Sequence, residues 1–379
     1  MIYLDNSATT RPCAAAALSM REMIEADWFN PSALYGEAVR AEKRLAEARK
    51  SLSAKIGLGG ALVFTGGGTE ADSLAILGSA ARFRGARRVL LFAAEHPAVL
   101  QTTDQLRAMG HGVELIPATG DGLIDLEALQ ALTTPETALL SLMQVNNETG
   151  AVQPLAEAAK ILRATNPSAL LHVDGVQGFL RLPLNAKAAG IDLYTISAHK
   201  VHGAKGVGAL AMRPGVLLAA RITGGGQEGG LRSGTENTAG IAAFAAAADW
   251  VAGQADAPDR LRAMKLRLYE QLREGIPGLR VNGAAPEGDS AAPHILNVSL
   301  PGIGGEVMVH ALERQGVLVG TGAACSSKKR GMSAAFAAMR APAWAAASAV
   351  RFSFGLLNTP EEADTAAKAA IACWRQYKV

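Results

Sequence analysis

Residues 170–200 read Leu-Leu-His-Val-Asp-Gly-Val-Gln-Gly-Phe-Leu-Arg-Leu-Pro-Leu-Asn-Ala-Lys-Ala-Ala-Gly-Ile-Asp-Leu-Tyr-Thr-Ile-Ser-Ala-His-Lys. Two short apolar runs in this stretch, 170–173 and 193–197, have the length and composition of buried strands. Asp174 directly follows the first run, and Lys200 closely follows the second. Because ligands of open α/β sheets collect at the carboxyl ends of strands, this stretch predicts both a fold class and the position of a site.

The pattern continues on the amino-terminal side. Further apolar runs lie at 61–65, 88–92, 113–117 and 137–142, and helical patterns at 69–82, 97–109, 125–132 and 154–163 separate them. The crossovers are long enough for parallel pairing, and the strands are too uniformly apolar to have a solvated face. We therefore predict an α/β domain over residues 15–255, with a mostly parallel sheet and helices on both sides.

The pattern changes after about residue 255. A long helical pattern at 259–274 precedes strand-like runs near 279–282, 295–299, 317–319 and 350–354, with helices at 306–315 and from Pro360 onward. This mixture predicts a smaller α+β domain formed by residues 1–14 and 256–379.

Composition excludes several classes of function. The chain has 379 residues, 37 of them basic and 34 acidic, and a formal net charge of +3, so it shows no electrostatic signature of nucleic-acid or membrane-surface binding. Its three cysteines, Cys13, Cys325 and Cys373, are far apart and form no C-x-x-C pair, which argues against a disulfide framework or a zinc site. With no visible signal peptide, we expect a reducing, cytoplasmic setting. The alanine-rich stretch 238–253 carries Asp249 and predicts a buried helix rather than a membrane span.

A glycine-rich turn, Thr65-Gly-Gly-Gly-Thr69, joins a predicted strand to a predicted helix. Glycines let the backbone approach an anion closely, and the free N–H groups at a helix start favour phosphate. A flexible turn in which Thr69 caps the helix explains the same residues equally well. The spacing does not match a P-loop.

Lys200, Asp174 and Cys325 are the strongest candidates for chemistry. A desolvated lysine can form a Schiff base with an aldehyde, and a carboxylate at a neighbouring strand end can pair with a cationic ring nitrogen. Taken singly, a solvated lysine and a helix-capping aspartate are the commoner explanations, but their placement on two strands of one sheet favours a shared site. Cys325 lies in a small-residue loop followed by Lys328–Arg330, an electropositive setting that suits a thiolate nucleophile. We expect Cys13 and Cys373 to be inert packing residues.

Three further segments suit substrate or cofactor contacts. Arg351 alternates with aromatic neighbours, and its guanidinium fork suits a carboxylate, although a surface charge on a half-exposed strand is about as probable. His96 follows a predicted strand and could stack on an aromatic cofactor or shuttle a proton, with helix capping as the alternative. Asn147 also follows a strand, where ordinary turn chemistry is the alternative.

Taken in order, these segments resemble the cysteine desulfurases, in the class V aminotransferase-like branch of fold-type I enzymes that use pyridoxal 5′-phosphate (PLP). The resemblance spans almost the whole chain, from residues 3–10 through 64–70, 95–96, 145–148, 172–177, 197–200, 224–228, 232–235 and 297–299 to the Cys325 loop and 351–353. One such motif would be weak evidence, but the ordered set is specific. The resemblance implies a large domain with a mostly parallel seven-stranded sheet and a smaller α+β domain.

The resemblance also implies roles for individual residues. Lys200 would carry the cofactor, Asp174 would hold the pyridinium nitrogen, and His96 would stack over the ring. Arg351 would bind the substrate carboxylate, and Cys325 would receive the sulfur of L-cysteine as a persulfide while alanine is released. The other implied cofactor contacts are Gly68, Thr69, Asn147, Gln177, Ser197, Ala198 and His199, with Asn147 also contacting substrate, and Thr235 reaching the phosphate of the other subunit of a homodimer.

The resemblance leaves the sulfur acceptor open. It could be an iron–sulfur scaffold, a tRNA-thiolation protein or another dedicated partner. The chain departs from the family pattern at Pro97, Gly178, Ala198 and His202, and Gly178 removes one expected ligand near the cofactor. None of these departures removes a catalytic role.

Alternative functions remain open at this level. A selenocysteine lyase or an aminotransferase of the same branch is the nearest, and a non-catalytic sulfur-transfer scaffold is more distant. A nucleotide-binding protein is the weakest alternative, since no G-x-G-x-x-G or Walker pattern follows a strand.

Overall fold

The structure is a computed structural model that describes residues 1–85, 87–321 and 332–378. Its strands are β1 (Ile2–Tyr3), β2 (Leu62–Thr65), β3 (Arg88–Phe92), β4 (Gly112–Ile116), β5 (Thr137–Ser141), β6 (Leu170–Asp174), β7 (Leu193–Ser197), β8 (Gly208–Met212), β9 (Arg280–Val281), β10 (Ile295–Ser299), β11 (Val317–Leu318), β12 (Gly320–Thr321) and β13 (Ala349–Ser353). Its α-helices are α1 (Ala14–Glu25), α2 (Gly36–Ile56), α3 (Gly68–Ala80), α4 (Pro97–Leu100), α5 (Thr103–Ala108), α6 (Leu126–Leu132), α7 (Leu155–Thr165), α8 (Thr238–Ala252), α9 (Ala257–Gly275), α10 (Gly305–Arg314), α11 (Ala334–Ala338), α12 (Ala343–Ala347) and α13 (Pro360–Tyr377).

The central sheet has seven strands in the order β2-β8-β7-β6-β5-β3-β4. Strand β8 runs antiparallel to both neighbours, and the other pairings are parallel. Strands β7 and β8 are buried throughout, as their uniformly apolar sequences require when helices cover both faces. The predicted α/β class and the mostly parallel seven-stranded sheet are confirmed.

Strands β6 and β7 are direct neighbours, and Asp174 is in register with Thr195. Their carboxyl ends therefore lie at the same edge of the sheet. A short 3₁₀ turn, Ala198–Lys200, follows β7 immediately. Asp174 and Lys200 stand 26 positions apart in the sequence, and a single crossover between the parallel strands β6 and β7 brings them to one edge.

A second, four-stranded antiparallel sheet has the order β12-β13-β10-β9. The amino-terminal segment joins this part of the chain, because β1 pairs with β11 and Asn6 N donates to Ser353 O at 3.2 Å. The grouping of residues 1–14 with 256–379 into one domain remains a prediction, and so does the boundary of the two domains.

Local differences from the sequence predictions have identifiable causes. Strand β8, Gly-Ala-Leu-Ala-Met, was missed because it contains no β-branched or aromatic residue. Helices α1 and α2 precede the first predicted strand and were not anticipated. The single helix predicted at 97–109 is two short helices, α4 and α5, separated at Thr102, whose hydroxyl donates to Val99 O at 2.7 Å. Within the described ranges, no helix combines the length and the apolar character that a membrane span needs.

Candidate active site

A cavity of about 380 Å³ lies at the carboxyl ends of the central strands. Ten of the residues singled out from the sequence line it: Gly68, Thr69, His96, Asn147, Asp174, Gln177, Ser197, His199, Lys200 and Arg351. Its volume lies in the range of small-molecule and cofactor sites. Residues from both sheets and from the amino-terminal segment thus meet at one place.

Lys200 reaches this cavity from the turn after β7. Its Nζ donates to Ala8 O at 2.9 Å and also to Ser7 O. Both carbonyls belong to the amino-terminal segment, which Ser7 N fixes to Ser353 Oγ at 2.9 Å. These two carbonyls hold the Lys200 amine in place at the edge of the cavity.

Asp174 ends β6 inside the cavity and is almost fully buried. Its Oδ1 accepts from Val176 N at 2.9 Å. Burial is the largest cause that raises its pKa to about 7, and the neighbouring Asp72 carboxyl adds to the rise, while His96 opposes it. Placing a cationic group beside Asp174 would therefore be strongly favourable, because it would compensate the buried charge.

Two further buried carboxyls, Asp72 and Glu95, lie near Asp174, and the sequence analysis did not identify either as a site residue. Burial raises the pKa of Asp72 to about 7 and that of Glu95 well above its ordinary value. Asp72 lines the cavity, and its Oδ1 lies 3.5 Å from Nε2 of the buried His172. Asp72 lies three positions after Thr69 in α3, so helical spacing from the glycine-rich turn could have identified it.

Replacing Asp72 by asparagine is expected to stabilise the cofactor-free protein at alkaline pH. A raised carboxyl pKa means that the folded state binds the proton more tightly than the unfolded chain does, so stability falls as pH rises from about 4 to about 7. The variant lacks this penalty. Its advantage in free energy of unfolding should be small near pH 4 and should grow to as much as about 4 kcal/mol above pH 7, since one pKa unit corresponds to about 1.4 kcal/mol.

Denaturant unfolding at a series of pH values measures this difference. Asp121→Asn is the matched control, because Asp121 is exposed in a turn and water solvates it in both states. A difference between wild type and Asp72→Asn that does not change with pH would contradict the buried position of this carboxyl.

The opposite end of the cavity suits an anion. Helix α3 begins at Gly68, where an added Cβ would lie 2.9 Å from Val176 Cγ2, so a glycine is required for this close approach. Ser197 Oγ is buried and has no hydrogen-bond partner among the described residues. A free hydroxyl beside the start of a 13-residue helix is an arrangement that binds phosphate. Thr69 is the second residue of the helix, so the prediction that it caps the helix is wrong; Gly67 occupies that position.

An adjoining open cleft of about 890 Å³ continues from this end of the cavity. It shares Gly68, Thr69, Ser197 and His199 with the inner cavity and adds the cationic side chains of Lys205 and Arg221. Burial and the nearby cations lower the pKa of His199 to about 4, so this histidine is neutral. The anion-binding end is therefore the end that opens to solvent.

His96 caps a helix, as the alternative interpretation has it, and it also lines the cavity, so its role toward a cofactor remains a prediction. Its Nδ1 accepts from Ala98 N at 3.1 Å at the start of α4. An accepting Nδ1 places the proton of the neutral ring on Nε2. Burial lowers the pKa of His96, Lys200 lowers it further, and Asp174 opposes the shift.

Arg351 reaches the cavity from the middle of β13. Only 1% of its surface is exposed, so the alternative of a surface charge is wrong. Its Nη2 donates to Asp5 Oδ1 at 2.7 Å and its Nη1 to Asn147 O at 2.8 Å, while Nε is buried without a partner among the described residues. The turn chemistry expected around Asn147 is also present, since Asn146 Oδ1 accepts from Glu148 N at 3.0 Å.

Two of the predicted site residues that the structure describes, Ala198 and Thr235, are not part of this lining. Ala198 is fully buried, and Thr235 is exposed outside the cavity. Cys325 lies outside the described residues. The cofactor-binding roles of Ala198 and Thr235, and the sulfur-accepting role of Cys325, remain predictions. The other two cysteines, Cys13 and Cys373, are free and buried, as inert packing residues would be.

Steric crowding explains why a glycine stands at position 178. A Cβ there would lie 2.1 Å from Gln144 Oε1, which accepts a 2.6 Å hydrogen bond from Tyr194 Oη. The side chain of Gln144 thus fills the space that a serine at 178 would need. The departure from the family pattern at Gly178 is therefore accompanied by a larger neighbour, Gln144, that occupies the space.

Comparison with known proteins shows which family has a sequence similar to this one. The aminotransferase class-V family matches residues 2–365. A cysteine desulfurase of Cereibacter sphaeroides is 38% identical over 96% of this chain and 93% of its own length. The chain belongs to the class-V aminotransferase family, in its cysteine desulfurase branch. A NifS/IcsS protein homolog of Lactobacillus delbrueckii subsp. bulgaricus is 39% identical over 96% of this chain and 94% of its own length.

A solved structure supports the same family assignment. A NifS-like protein superposes with a TM-score of 0.90 at 30% identity, covering 98% of both chains. The class-V family implies PLP chemistry, and the cavity has the two features that such a cofactor needs: an anion-binding end at Gly68 and Ser197 and a buried carboxylate at Asp174.

Proposed function

We propose that this chain removes sulfur from L-cysteine in a PLP-dependent reaction, releasing L-alanine and holding the sulfur as a persulfide on Cys325. The observation that carries the proposal is the shared cavity of Lys200, Asp174 and Arg351 beside an anion-binding helix start. An amine, a carboxylate and a guanidinium in one cavity match the needs of an amino-acid substrate bound to an aldehyde cofactor.

The residues present fit PLP. Gly68, Thr69, Ser197 and His199 would hold the phosphate, Asp174 the ring nitrogen, and Gln177 and Asn147 the remaining polar atoms, with His96 over the ring and Ala198 behind it. When bound, this cofactor supplies an electron sink that stabilises the negative charge left after the Cα proton departs. The burial of Asp174 supports this role, because a cationic ring nitrogen would compensate its charge.

Lys200 and His96 would handle the protons. Lys200 would hold the cofactor aldehyde, and its amine would take the Cα proton of the substrate. The carbonyls of Ser7 and Ala8 orient that amine. His96 would exchange a proton with the substrate thiol through Nε2, because Nδ1 is engaged by Ala98 N.

Cys325 would complete the sulfur transfer. Its thiolate attacks the substrate sulfur, the new S–S bond forms as the substrate Cβ–S bond breaks, and the electron pair of that bond stays on carbon, which a proton then converts to alanine. The rate depends on both the thiolate fraction and the nucleophilicity of the attacking sulfur.

Replacing Arg351 by lysine is expected to raise the KM for L-cysteine by roughly 10- to 100-fold, with a smaller effect on kcat. A charge-assisted hydrogen bond contributes about 1.5–3 kcal/mol, and an ammonium cannot reproduce the planar fork. Steady-state alanine release over a range of cysteine concentrations measures both constants. A KM equal to that of wild type would argue against a substrate carboxylate at Arg351.

A homodimer would complete the site. Thr235 is exposed and lies outside the cavity of its own chain, so it is available to reach the phosphate end of a partner's cavity. Mixing a Lys200→Ala protein with a Thr235→Ala protein should then restore activity, because one site of the hybrid has both wild-type residues. No recovery after subunit exchange, with hybrids present, would contradict the shared site.

The family resemblance suggests the acceptor, and the cysteine usage suggests the compartment. We infer transfer to a dedicated acceptor protein, an iron–sulfur scaffold or a tRNA-thiolation protein, in the reducing cytoplasm, where Cys325 stays reduced between turnovers.

The test is to purify the protein, add PLP and record visible absorbance and alanine release from L-cysteine. The proposal predicts a new visible band and alanine release that depends on Cys325. Alanine release that persists in Cys325→Ala would favour a lyase acting without the thiol, such as a selenocysteine lyase. Transfer of the amino group to a keto acid would favour an aminotransferase, and a protein that stays colourless would favour a scaffold.

A further inference from the structure

Arg181 connects three parts of the active-site region, although it does not line the cavity. Its Nη1 donates to Gln177 Oε1 at 2.8 Å and to His294 Nε2 at 3.0 Å, and its Nη2 donates to the backbone carbonyl of Lys200. Gln177 lines the cavity, and Lys200 is the proposed cofactor-binding lysine. His294 directly precedes β10, so the same guanidinium also contacts the smaller sheet's part of the chain.

The environment of Arg181 is unusual for an arginine. The side chain is 5% exposed, and burial lowers its pKa to about 10, so it remains charged at neutral pH. In the part of the chain that the structure describes, its three recorded acceptors are neutral, and no carboxylate forms an ion pair with it. A buried charge without a counterion is costly and is retained where its hydrogen bonds have a specific use.

The main consequence concerns the amide of Gln177. Its Oε1 accepts from Arg181, and its Nε2 donates to Ser7 O at 2.9 Å. Turning the amide over would bring its NH₂ group against the guanidinium donors and its oxygen against a carbonyl oxygen. Arg181 and Ser7 therefore fix one orientation, and the second N–H of Nε2 remains to bind a group in the cavity.

The backbone between these residues has a fixed and unfavourable conformation. Leu180 has φ of +59°, a left-handed value that a leucine rarely adopts. Such strain persists only where the surrounding contacts determine it. Here it directs the chain so that Arg181 and Gln177, four positions apart, contact each other.

We propose that Arg181 is a positioning residue that holds the NH₂ group of Gln177 toward a negatively charged oxygen of the bound cofactor and fixes the backbone that carries Lys200. The inference rests on the proposed function. Arg181 would influence the protonation of the bound cofactor through Gln177, without contacting the cofactor itself.

The test compares Arg181→Met and Arg181→Lys holoenzymes with wild type by titrating the visible absorbance of the bound cofactor against pH. Loss of a donated hydrogen bond to an anionic oxygen disfavours its deprotonated form, so the absorbance midpoint of Arg181→Met should rise by about 1 pH unit. Arg181→Lys keeps the charge but loses the planar fork, and it should show most of the same rise. In protein that already carries Gln177→Ala, the further change Arg181→Met should raise the absorbance midpoint little more.

Lys265→Met is the matched control, because Lys265 is also a fully buried cation, bonded to Ala292 O at 2.9 Å and away from the cavity. The absorbance midpoint of Lys265→Met should equal that of wild type, even if its Tm is lower. A lower Tm with an unchanged midpoint in both Arg181 variants would show a merely structural role. A wild-type midpoint in Arg181→Lys alone would show that charge, and not positioning, is what matters. Wild-type protein that forms no visible band with PLP would instead overturn the proposed function.

Discussion

Replacing Lys200 by alanine is expected to lower the rate of alanine release from L-cysteine by at least about 1000-fold, because the variant loses both the covalent attachment of the cofactor and the general base. The structure places its amine inside the cavity, held by the carbonyls of Ser7 and Ala8. The measurement is single-turnover alanine release after saturation with PLP. In the same samples, borohydride should fix the cofactor to wild-type protein and not to the variant.

The control is Lys187→Ala, which removes an exposed lysine from a turn outside the cavity and should leave the rate unchanged. A Lys200→Ala protein that retains a tenth or more of wild-type activity would contradict the assignment of Lys200.

Replacing Cys325 by serine is expected to lower the rate of cysteine turnover by at least about 100-fold while leaving the visible band of the bound cofactor in place. A serine hydroxyl does not ionise at neutral pH, so the nucleophile that attacks the substrate sulfur is lost. Because cofactor binding depends on other residues, a preserved band separates loss of sulfur transfer from loss of the fold. Combined assays of alanine and of released sulfide measure the effect.

The two remaining cysteines provide controls of the same type. Cys13 and Cys373 are buried at 3% and 2% exposure, and burial raises the pKa of Cys373, which keeps its thiol protonated. Cys13→Ala and Cys373→Ala should retain wild-type turnover. If turnover were lost in Cys373→Ala and retained in Cys325→Ser, the assignment of the persulfide to Cys325 would be wrong.

Sequence patterns predicted the part of the site that depends on strand ends. Asp174, Lys200 and His96 lie at or shortly after strand ends, so the periodicity that predicts the sheet also predicts that they meet at its carboxyl edge. For the turn at Gly68, glycine content and a helix start indicated an anion site and a flexible turn equally. The ordered family motifs then supplied roles that no single residue could justify.

Contacts between distant segments could not be predicted in this way. The carbonyls of Ser7 and Ala8 that hold Lys200 come from the amino-terminal segment, and the Asp5 carboxylate that pairs with Arg351 comes from there as well. No sequence pattern singled out Arg181, whose burial and left-handed neighbour Leu180 are features of the folded chain. These features arise from tertiary packing, for which local periodicity carries no signal.

The electrostatics of the cavity depends on groups that are buried together. Asp72, Glu95 and Asp174 have raised pKa values mainly because they are buried, and the charge of Asp174 raises that of Glu95 further. A cationic ring nitrogen beside Asp174 would favour ionisation of that carboxyl over the other two. Cofactor binding and the charge distribution of the cavity are therefore expected to be coupled.

The most direct test of the account is peptide mass spectrometry of the PLP-loaded protein after brief exposure to L-cysteine, with free thiols blocked and released alanine quantified. The account predicts one additional sulfur atom on the peptide that contains Cys325, in proportion to the alanine formed in the first turnover. Alanine formed in full while the Cys325 peptide keeps its unmodified mass would contradict it.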